Sequence, residues 1–594
     1  MKINVSLDGH ELVLKFPFSK EINQRIKKVF GWRFDGQTKT WRVHAASVDD
    51  LIDEFGALLK FDTSYDEIKA AIESIGPVLG SIDATIVDYF KISPYDYQVV
   101  AGTAFLPVAK KCILADEVGV GKTLSSLVGF ASLYKKGIVN KALVICKASL
   151  KSQWLSEIYK FTDFEGIVIE GTTKKRQELY ELAKSDDYQF VIVNYDLLRY
   201  EGKRAKKKEN KFDDLKYVLE VVKDCQIIIA DEVHKIKNSK TKTRKGVLQL
   251  DAPYKWGLTG TPIENKPEDL YNIMFWINPE VFGRNPMPFK HRYYFYEYGH
   301  PVGIKTHMLP DLRARIAPHM LRRYKRDISS NFPDFSMDYV YIDMDDLQAE
   351  IHELIRTNSL NLLMATEGDE DEEITEKGSA FGNFMLLLQV ANTPELLAYS
   401  ESKYGQEIYN KKVKGKGLSV PKIDWVYDLL EERNDLNPEA KTLIFTRSDD
   451  MAELIKKRLL KLFKEEEVLI YKGKLSNKQR DSIINGFKEN GKVMICTEAG
   501  AEGLNLQVAD LEINIDLPFN PSRLTQRIGR IDRAGSEFDK IKVLNLISKD
   551  SVDERILDLI YQKQGLIDAV IEGNVVDMKL TRGLLQKLLK AKSA

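Results

Sequence analysis

The stretch Cys112-Ile-Leu-Ala-Asp-Glu-Val-Gly-Val-Gly-Lys-Thr-Leu-Ser-Ser-Leu127 combines a short apolar strand, a glycine-rich turn and the start of a helix. Gly119 and Gly121 let the backbone turn without a Cβ, so successive N–H groups can converge on a phosphate in front of the helix. Lys122 is placed to reach the β- and γ-phosphates, and the Thr123 hydroxyl is a ligand that Mg²⁺ accepts. The stretch therefore predicts a nucleotide-binding loop.

Asp116 stands where the general phosphate-loop pattern has its first glycine. We assign Asp116 to the nucleotide-contacting residues, together with the two glycines, the lysine and the threonine that follow it. The alternative interpretation of this stretch is a strand-to-helix turn with a purely structural role.

A second segment, Gln226-Ile-Ile-Ile-Ala-Asp-Glu-Val-His234, reads as a buried strand that ends in two carboxylates. Asp231 is suited to complete a Mg²⁺ shell, mostly through water, and Glu232 to polarise the water that attacks a γ-phosphate. His234 is assigned to coupling, with a structural histidine as the alternative. The two segments on one chain, with strands between them, predict an ATPase that uses ATP and Mg²⁺.

The composition indicates an ordinary globular protein with more than one core. The chain has 594 residues, 43% of them hydrophobic and 30% charged, and its 88 basic and 88 acidic residues balance. A nucleic-acid site must therefore be a local patch. No apolar run approaches the length of a membrane span, so we expect no membrane partner.

Four cysteines in so long a chain suit a reducing cytosol, and their spacing does not match a metal site. The first ten residues lack the apolar core of a secretory signal. We therefore expect a cytoplasmic protein, of a prokaryotic cell or of a virus-infected host cytoplasm.

Residues 1–60 predict a small separate α+β domain, and residues 61–92 a helical connector. Asp8-Gly9 and Asp35-Gly36 each lie between alternating strands and predict two hairpins. The second hairpin interleaves aromatic and basic residues between Trp32 and Val43. Such residues can stack on bases and hold phosphates, although the aromatic residues can equally form the core of a small domain.

The chain resembles the Swi/Snf-type superfamily II ATPases. The resemblance rests on Asp116-Glu-Val-Gly-Val-Gly-Lys-Thr123, Asp231-Glu-Val-His234 and Leu258-Thr-Gly-Thr-Pro262. Four further blocks fall where that family has its helical insertions: Phe282-Gly283, Met320-Leu-Arg-Arg323, Asn392-Thr-Pro394 and Leu396-Leu397.

The resemblance implies an α/β fold with two RecA-like P-loop lobes and helical insertions, preceded by the small α+β domain. ATP would bind in the cleft between the lobes, and the protein would move along duplex DNA. The expected divisions after the connector are lobe 1 at 93–280, insertions at 281–420, lobe 2 at 421–570 and a C-terminal helix at 571–594.

Arginines follow one another at three- and four-residue spacing in Gln526-Arg-Ile-Gly-Arg-Ile-Asp-Arg-Ala-Gly535. We expect Arg530 and Arg533 on one face of a helix, where both can enter the ATP cleft and contact phosphate oxygens. An inserted arginine of this kind contributes roughly 10³ to 10⁵ in rate.

The remaining site assignments follow from the same motifs. Tyr97 and Gln98 precede the glycine loop, so Gln98 is placed to hydrogen-bond an adenine edge, with a buried polar pair as the alternative. Gln526 is also assigned to nucleotide contact. The expected coupling residues are His234, Thr259, Thr261 and Gly503, and the expected nucleic-acid contacts are Ser149, Asn194, Arg447 and Thr497.

Two finer resemblances keep several functions open. The 32–43 hairpin resembles the HARP domain of annealing helicases, which implies action on forked or branched DNA and replication or repair proteins as partners. Residues 516–521 and 526–533 look closer to the bacterial RNA-polymerase-recycling branch, which makes RNA polymerase an alternative partner. A non-catalytic DNA-binding scaffold is an alternative of another class.

Two charge runs have weaker interpretations. Lys203-Arg-Ala-Lys-Lys-Lys208 can hold a phosphate backbone, but a solvated loop is the better default. Gly368-Asp-Glu-Asp-Glu-Glu373 predicts a disordered acidic loop.

Overall fold

The computed structural model describes residues 2–200, 213–264, 266–297, 300–365, 372–417, 419–473, 475–498 and 506–571. The basic run 203–208, most of the acidic run, Gly503 and residues 572–594 of the expected C-terminal helix lie outside these ranges. None of the described helices is long and apolar enough to cross a membrane. The chain forms two compact units, Met1–Ile328 and Ser329–Gln564, with residues 565–571 counted in the first.

Unit 1 begins with a small five-stranded sheet in the order β3-β4-β2-β1-β5. Both predicted hairpins are present, β1 with β2 around Gly9 and β3 with β4 around Gly36. The strands of this sheet are β1 (Ile3–Asp8), β2 (Glu11–Lys15), β3 (Trp32–Asp35), β4 (Thr40–His44) and β5 (Leu59–Phe61). The helices that accompany it are α1 (Lys20–Ile26), α2 (Val48–Phe55) and α3 (Tyr65–Glu73).

The connector at 61–92 is helical only in part. It contains α3 and a short 3₁₀ segment, Ala84–Tyr89, with irregular backbone between them. Gly76, Pro77 and Gly80 lie in that irregular stretch. Glycine and proline both disfavour a helix interior, which accounts for the interruption.

The main sheet of unit 1 has seven parallel strands in the order β14-β6-β11-β10-β7-β9-β8. Its central strands are buried except for Asp231 at the end of β10, as the near-continuous apolar runs require. The strands are β6 (Lys111–Leu114), β7 (Ala142–Cys146), β8 (Gly166–Val168), β9 (Phe190–Asn194), β10 (Ile227–Asp231), β11 (Tyr254–Leu258) and β14 (Met320–Leu321).

Helices connect the parallel strands of this sheet, as crossovers between parallel neighbours require. The helices between its strands are α6 (Lys122–Lys135), α7 (Lys151–Phe161), α8 (Thr173–Leu182), α9 (Asp214–Val221), α10 (Lys242–Val247) and α11 (Pro267–Ile277). Two short helices, α4 (Asp96–Val99) and α5 (Leu106–Ala109), precede β6. Between β11 and β14 the chain adds α12 (Pro286–Tyr293), a hairpin of β12 (Tyr294–Glu297) and β13 (His300–Ile304), and α13 (Leu309–Ile316).

Unit 2 contains six parallel strands in the order β15-β20-β19-β16-β18-β17. The strands are β15 (Asp334–Ile342), β16 (Thr442–Phe445), β17 (Val468–Tyr471), β18 (Val493–Cys496), β19 (Leu511–Asn514) and β20 (Lys540–Ser548). The helices are α14 (Asp346–Ala365), α15 (Glu372–Asn392), α16 (Lys403–Ile408), α17 (Pro421–Leu436), α18 (Asp449–Leu459), α19 (Asn477–Glu489), α20 (Pro521–Ile528) and α21 (Val552–Ile571). The α/β class predicted from the sequence is confirmed.

The structure differs from the expected helical insertions at 281–420 in two places. β14 is an edge strand of the unit 1 sheet beside β6, and β15 is an edge strand of the unit 2 sheet beside β20. The segment also holds the hairpin β12–β13. β14 is too short for a periodic signal, and much of β15 is exposed, so neither strand shows the apolar run of a buried parallel strand.

The N-terminal sheet is not a free-standing domain, because buried charges join it to α12 and α13 within unit 1. The Arg315 side chain is fully buried, donates from Nη2 to Ser47 Oγ and lies over the Phe30 ring at 4.7 Å. Arg315 Nε also donates to Asp311 at 3.1 Å. Burial would raise the pKa of Asp311, but Arg315 and Arg292 hold it well below its usual range.

Replacing Arg315 by methionine should therefore loosen this junction. The change keeps much of the packing volume but removes the guanidinium that donates to Asp311 and Ser47. Breaking a buried ion pair costs about 3 kcal/mol of folding free energy. We expect a lower thermal midpoint and faster proteolysis between residues 60 and 95. Arg313→Met, an exposed position on the same helix, is the control, and equal effects of the two variants would contradict a specific junction.

Candidate nucleotide site

The candidate site lies at the carboxyl ends of three neighbouring strands, where parallel α/β sheets bind ligands. The loop after β6 carries the glycines, the loop after β10 carries the two carboxylates, and β11 separates these strands. The loop after β11 carries the two threonines assigned to coupling. The sheet order thus places three sequence motifs side by side.

The glycine loop has the backbone that its sequence predicts. Gly119 and Gly121 adopt φ values of +95° and +89°, which favour glycine. A Cβ on Gly121 would lie 2.4 Å from Gln98 Nε2, so a larger residue would collide there. Lys122 begins α6, and its Nζ donates to the carbonyl oxygens of Asp116 at 2.8 Å and Glu117 at 3.1 Å.

Burial lowers the pKa of Lys122, because the nearby carboxylates of Glu232, Asp116 and Asp231 offset the desolvation only in part. A phosphate beside the amine would favour its charged form. The lysine is therefore poised for an anionic ligand.

The Asp116 side chain pairs with Arg323 in this structure, and its nucleotide contact stays a prediction. Its carboxylate is fully buried and accepts hydrogen bonds from Arg323 N at 3.0 Å and Arg323 Nε at 3.0 Å, with Nη2 as a third donor. Arg323 also donates to the Tyr97 carbonyl and lies 5.2 Å from the centre of the Tyr97 ring. Asp116 therefore fixes the chain just after β14 to the start of the glycine loop.

Tyr97 and Gln98 lie directly against the glycine loop. The Tyr97 hydroxyl donates to the Val120 carbonyl at 3.0 Å, and Gln98 Nε2 lies 3.3 Å from the same oxygen. Gln98 Oε1 accepts from the Tyr95 backbone N–H at 3.0 Å. The Gln98 amide is thus buried and engaged at both ends, the arrangement expected for a buried polar residue, and adenine recognition stays a prediction.

Asp231 ends β10 and is held on three sides. Trp154 Nε1 donates to Oδ2 at 2.9 Å, the Glu232 N–H donates to Oδ1 at 2.9 Å, and the Tyr195 hydroxyl donates to the main-chain oxygen at 2.8 Å. Burial and the charge of Glu232 raise the pKa of Asp231 to about 6. Trp154 and Tyr195 belong to no motif in the sequence, and only their positions after neighbouring strands indicate that they lie near the site.

Glu232 adopts a left-handed backbone, with φ +52° and ψ +50°, which is rare for a residue with a side chain. His234 Nδ1 lies 3.2 Å from Glu232 Oε2. Burial would raise the pKa of Glu232, but its interaction with His234 and the charges of Lys147 and Lys122 hold it well below its usual range. The side chain is therefore an ionised carboxylate, the form that can accept a proton.

The residues present fit a magnesium ion. Thr123 offers a hydroxyl and Asp231 a carboxylate, which are hard oxygen ligands. Each Asp231 carboxylate oxygen accepts one hydrogen bond and keeps a second lone pair for a metal ion. A Cβ on Gly260 would meet Val118 at 2.6 Å, so a glycine keeps this cradle open. Among the described residues no three His, Cys, Asp or Glu side chains form a metal cluster, and Mg²⁺ typically keeps water and phosphate ligands instead.

The loop after β11 bridges the other two loops. Thr259 Oγ1 accepts from the Thr261 N–H at 3.1 Å and lies 3.3 Å from His234 Nδ1. Arg322 Nη1 donates to Gly260 O and Ala115 O, each at 3.0 Å. This continuous path from Glu232 to the glycine loop suits the coupling role assigned to His234 and the two threonines.

The four expected nucleic-acid contacts follow strand ends, two in each unit. Ser149 is exposed after β7, whereas Asn194 is buried at the end of β9. In unit 2, Arg447 Nε pairs with Asp516 at 3.1 Å, and Thr497 is buried after β18. Ser149 is thus the most exposed of the four.

Arg530 and Arg533 are not on a helix face, contrary to the prediction. Helix α20 ends at Ile528, Arg530 lies in the turn that follows it, and Arg533 lies in irregular backbone beyond that turn. Arg530 Nε donates to Gln526 O at 2.8 Å, and Arg533 Nε donates to Gly529 O at 2.6 Å. Gly529 ends the helix, because glycine is unfavourable in a helix interior.

The family description "SNF2-related domain" matches residues 41–396, and "Helicase conserved C-terminal domain" matches residues 421–535. The chain belongs to the SNF2 family. An uncharacterized ATP-dependent helicase of Bacillus subtilis, YqhH, is 28% identical over 477 residues, which cover 78% of this chain and 76% of that protein. Chromodomain-helicase-DNA-binding protein 8 of Danio rerio is 26% identical, and the match spans 18% of its length.

Among solved structures, the Sulfolobus solfataricus SWI2/SNF2 ATPase core in complex with dsDNA is similar at 27% identity. The similarity covers 85% of this chain and 98% of that one, with a TM-score of 0.35. The SNF2 family assignment confirms the resemblance drawn from the motifs, and it makes the chain an ATPase with RecA-like lobes.

Proposed function

We propose that this SNF2-family protein is an ATP-driven translocase or helicase-like remodeller of duplex DNA. One observation carries the proposal: the glycine loop, the Asp231–Glu232 pair and the loop after β11 meet at one edge of one sheet. His234 lies between Glu232 and Thr259, and Arg322 donates to both the segment before the glycine loop and the loop after β11. The names of the relatives, an ATP-dependent helicase and a chromodomain-helicase-DNA-binding protein, support a nucleic-acid substrate.

Each side chain has a distinct task in hydrolysis. Lys122 would bind the β- and γ-phosphates, and Thr123 and Asp231 would hold Mg²⁺, which neutralises phosphate charge when bound. Glu232 would orient the attacking water and accept its proton. Arg530 and Arg533 remain the proposed contributors from unit 2.

Duplex DNA should stimulate ATP turnover, and salt should suppress this stimulation. A protein that holds the phosphate backbone loses roughly 10³-fold or more in affinity between 50 and 200 mM salt when it makes six or more contacts. ATPase rates measured against duplex, single-stranded and forked DNA and against RNA test this. A rate that duplex DNA leaves unchanged at low salt would refute the proposed function.

ATPase rates, DNA binding and co-purification together separate the alternative functions. An ATPase that recycles RNA polymerase would co-purify with polymerase and require little free DNA. A DNA-binding scaffold would bind duplex equally well with and without an intact Lys122 and would show no turnover above that of Lys122→Ala.

Action on forked DNA is supported by the outer face of β3. Trp32 and Phe34 are 39% and 51% exposed, although Trp41, which pairs with Phe34, is buried. Lys27 Nζ lies 5.8 Å from the centre of the Trp32 ring. Arg33 and Arg42, in contrast, pair with Glu11, so the exposed aromatic residues carry the fork hypothesis.

Replacing Trp32 and Phe34 by threonine tests the fork hypothesis without removing the docked domain, because threonine suits a strand. The expected result is weaker binding to forked than to plain duplex DNA, with ATP turnover on plain duplex unchanged. Equal loss on both substrates would contradict a fork-specific role.

A further inference from the structure

A cavity of about 330 Å³ lies in unit 1, apart from the nucleotide site. Its walls come from the segments that follow β10 and β11 and from the start of α12. Its charged lining residues are Arg244, Lys266, Glu268, Arg284 and Lys290, and Ser239, Tyr271, Asn272, Phe275, Pro286 and Phe289 complete it.

Arg244 is the buried residue of this cavity. It is 7% exposed, its Nη2 lies 3.3 Å from Asn272 Oδ1, and its guanidinium lies 5.2 Å from the centre of the Phe275 ring. Its Nε is buried and finds no hydrogen-bond acceptor in the described part of the chain. Arg244 thus lines the cavity and carries one donor that no described residue satisfies.

The charges around Arg244 do not balance within the described residues. No carboxylate lies within ion-pair distance of Arg244, and burial lowers its pKa, opposed only by the Tyr271 hydroxyl. Glu268 is the one acidic lining residue, and it lies 3.7 Å from both Lys266 Nζ and Lys290 Nζ. Four cations therefore face a single carboxylate.

A buried cation without a partner destabilises the fold that contains it. A ligand that supplies the missing anion would explain this arrangement, because residues at functional sites are commonly less stabilising than alternatives at the same position. Arginine favours phosphate in particular, because its donors form a planar fork.

The position of the cavity indicates where such an anion would come from. Helix α10, which carries Arg244, packs so closely on the segment after β9 that a Cβ on Gly246 would lie 1.6 Å from Leu198 O. The Tyr200 N–H donates to the Lys242 carbonyl at 3.1 Å. The helix that carries Arg244 is therefore in contact with the segment that follows Asn194, an expected nucleic-acid contact.

We propose that the Arg244 cavity binds a phosphate group, supplied by the backbone of nucleic acid held on unit 1. Arg244 would be the buried anchor, and Lys266, Arg284 and Lys290 would surround the phosphate at the rim. The backbone as the source of the phosphate rests on the proposed function, whereas the anion site itself does not.

The test is the salt dependence of duplex DNA binding by the full chain, measured by fluorescence anisotropy for the wild type and for Arg244→Met. Loss of one phosphate contact should lower the slope of log K against log salt by about one and weaken binding about tenfold at low salt. The thermal midpoint should stay unchanged or rise, because methionine removes a buried charge. A purely structural arginine would instead lower the midpoint.

Two further variants support the comparison. Lys245→Met removes a charge from an exposed position of the same helix that does not line the cavity, so the slope should not change. Arg284→Met changes an exposed rim residue, where misfolding is no concern, and should lower the slope in the same direction as Arg244→Met.

A second arm uses inorganic phosphate and pyrophosphate as probes of thermal stability. Phosphate or pyrophosphate could stabilise the wild type but not Arg244→Met, while both proteins show the same salt dependence of DNA binding. In that case the phosphate belongs to a small ligand. If neither the slopes nor these stabilities differ, the site is refuted. Failure of the wild type to bind duplex would remove the proposed function, and the second arm would still decide the site.

Discussion

Glu232→Gln is expected to abolish ATP turnover while ATP binding is retained. The substitution preserves the shape of the side chain but removes the basic oxygen that takes the proton from the attacking water. Positioned general bases contribute about 10²–10⁴-fold in rate, so we expect at least that loss. Steady-state ATPase assays and equilibrium binding of a fluorescent ATP analogue measure the two quantities.

The structure makes this variant a clean test. Glu232 has a left-handed backbone, and glutamine adopts that backbone no more easily, so the strain at the site is unchanged. His234 and Lys122 remain to interact with the amide. Glu280→Gln, at an exposed position of unit 1, is the control, and turnover comparable to wild type in Glu232→Gln would favour the scaffold alternative.

Asp116→Gly is expected to damage the protein, although it restores the first glycine of the general phosphate-loop pattern. The change leaves Arg323 without the buried carboxylate that pairs with it, and breaking a buried ion pair costs about 3 kcal/mol or more. The glycine loop would also lose its connection to the chain after β14. We expect a lower thermal midpoint and a KM for ATP raised about tenfold.

A double variant isolates the ion pair from other effects of the glycine. Arg323→Met in the Asp116→Gly background removes the unpaired charge, so it should recover part of the lost stability. If Asp116→Gly alone raised the thermal midpoint and lowered the KM for ATP, the aspartate would not be needed at this position. Differential scanning calorimetry and ATP titration of the four proteins complete the cycle.

The interaction between Asp116 and Arg323 also gives a physical meaning to a sequence motif. The residues Met320-Leu-Arg-Arg323 were recognised only as a block in a family insertion, yet β14 pairs with β6 and the two arginines reach the nucleotide site. Arg322 holds the loops after β6 and β11, and Arg323 holds Asp116. The glycine loop is therefore supported by a segment about two hundred residues away in sequence.

The amino-acid sequence alone predicts the chemistry of the candidate nucleotide site. Gly119, Gly121, Lys122, Asp231 and Glu232 were assigned from local patterns, because a phosphate loop needs particular residue types at consecutive positions. The two hairpins of the N-terminal sheet were likewise predictable, since their turns are local. The family resemblance carried by these motifs also implied the α/β class.

The residues that complete these local patterns from distant parts of the chain could not be predicted from the sequence. The pairing of Asp116 with Arg323, the support of Asp231 by Trp154, and the burial of Arg244 beside its cavity depend on sheet order and packing, which no local pattern specifies. The end of α20 before Arg530 depended on a single glycine in an otherwise helical run. Local chemistry is encoded in neighbouring residues, whereas burial and long-range charge pairing exist only once the strands are ordered into a sheet.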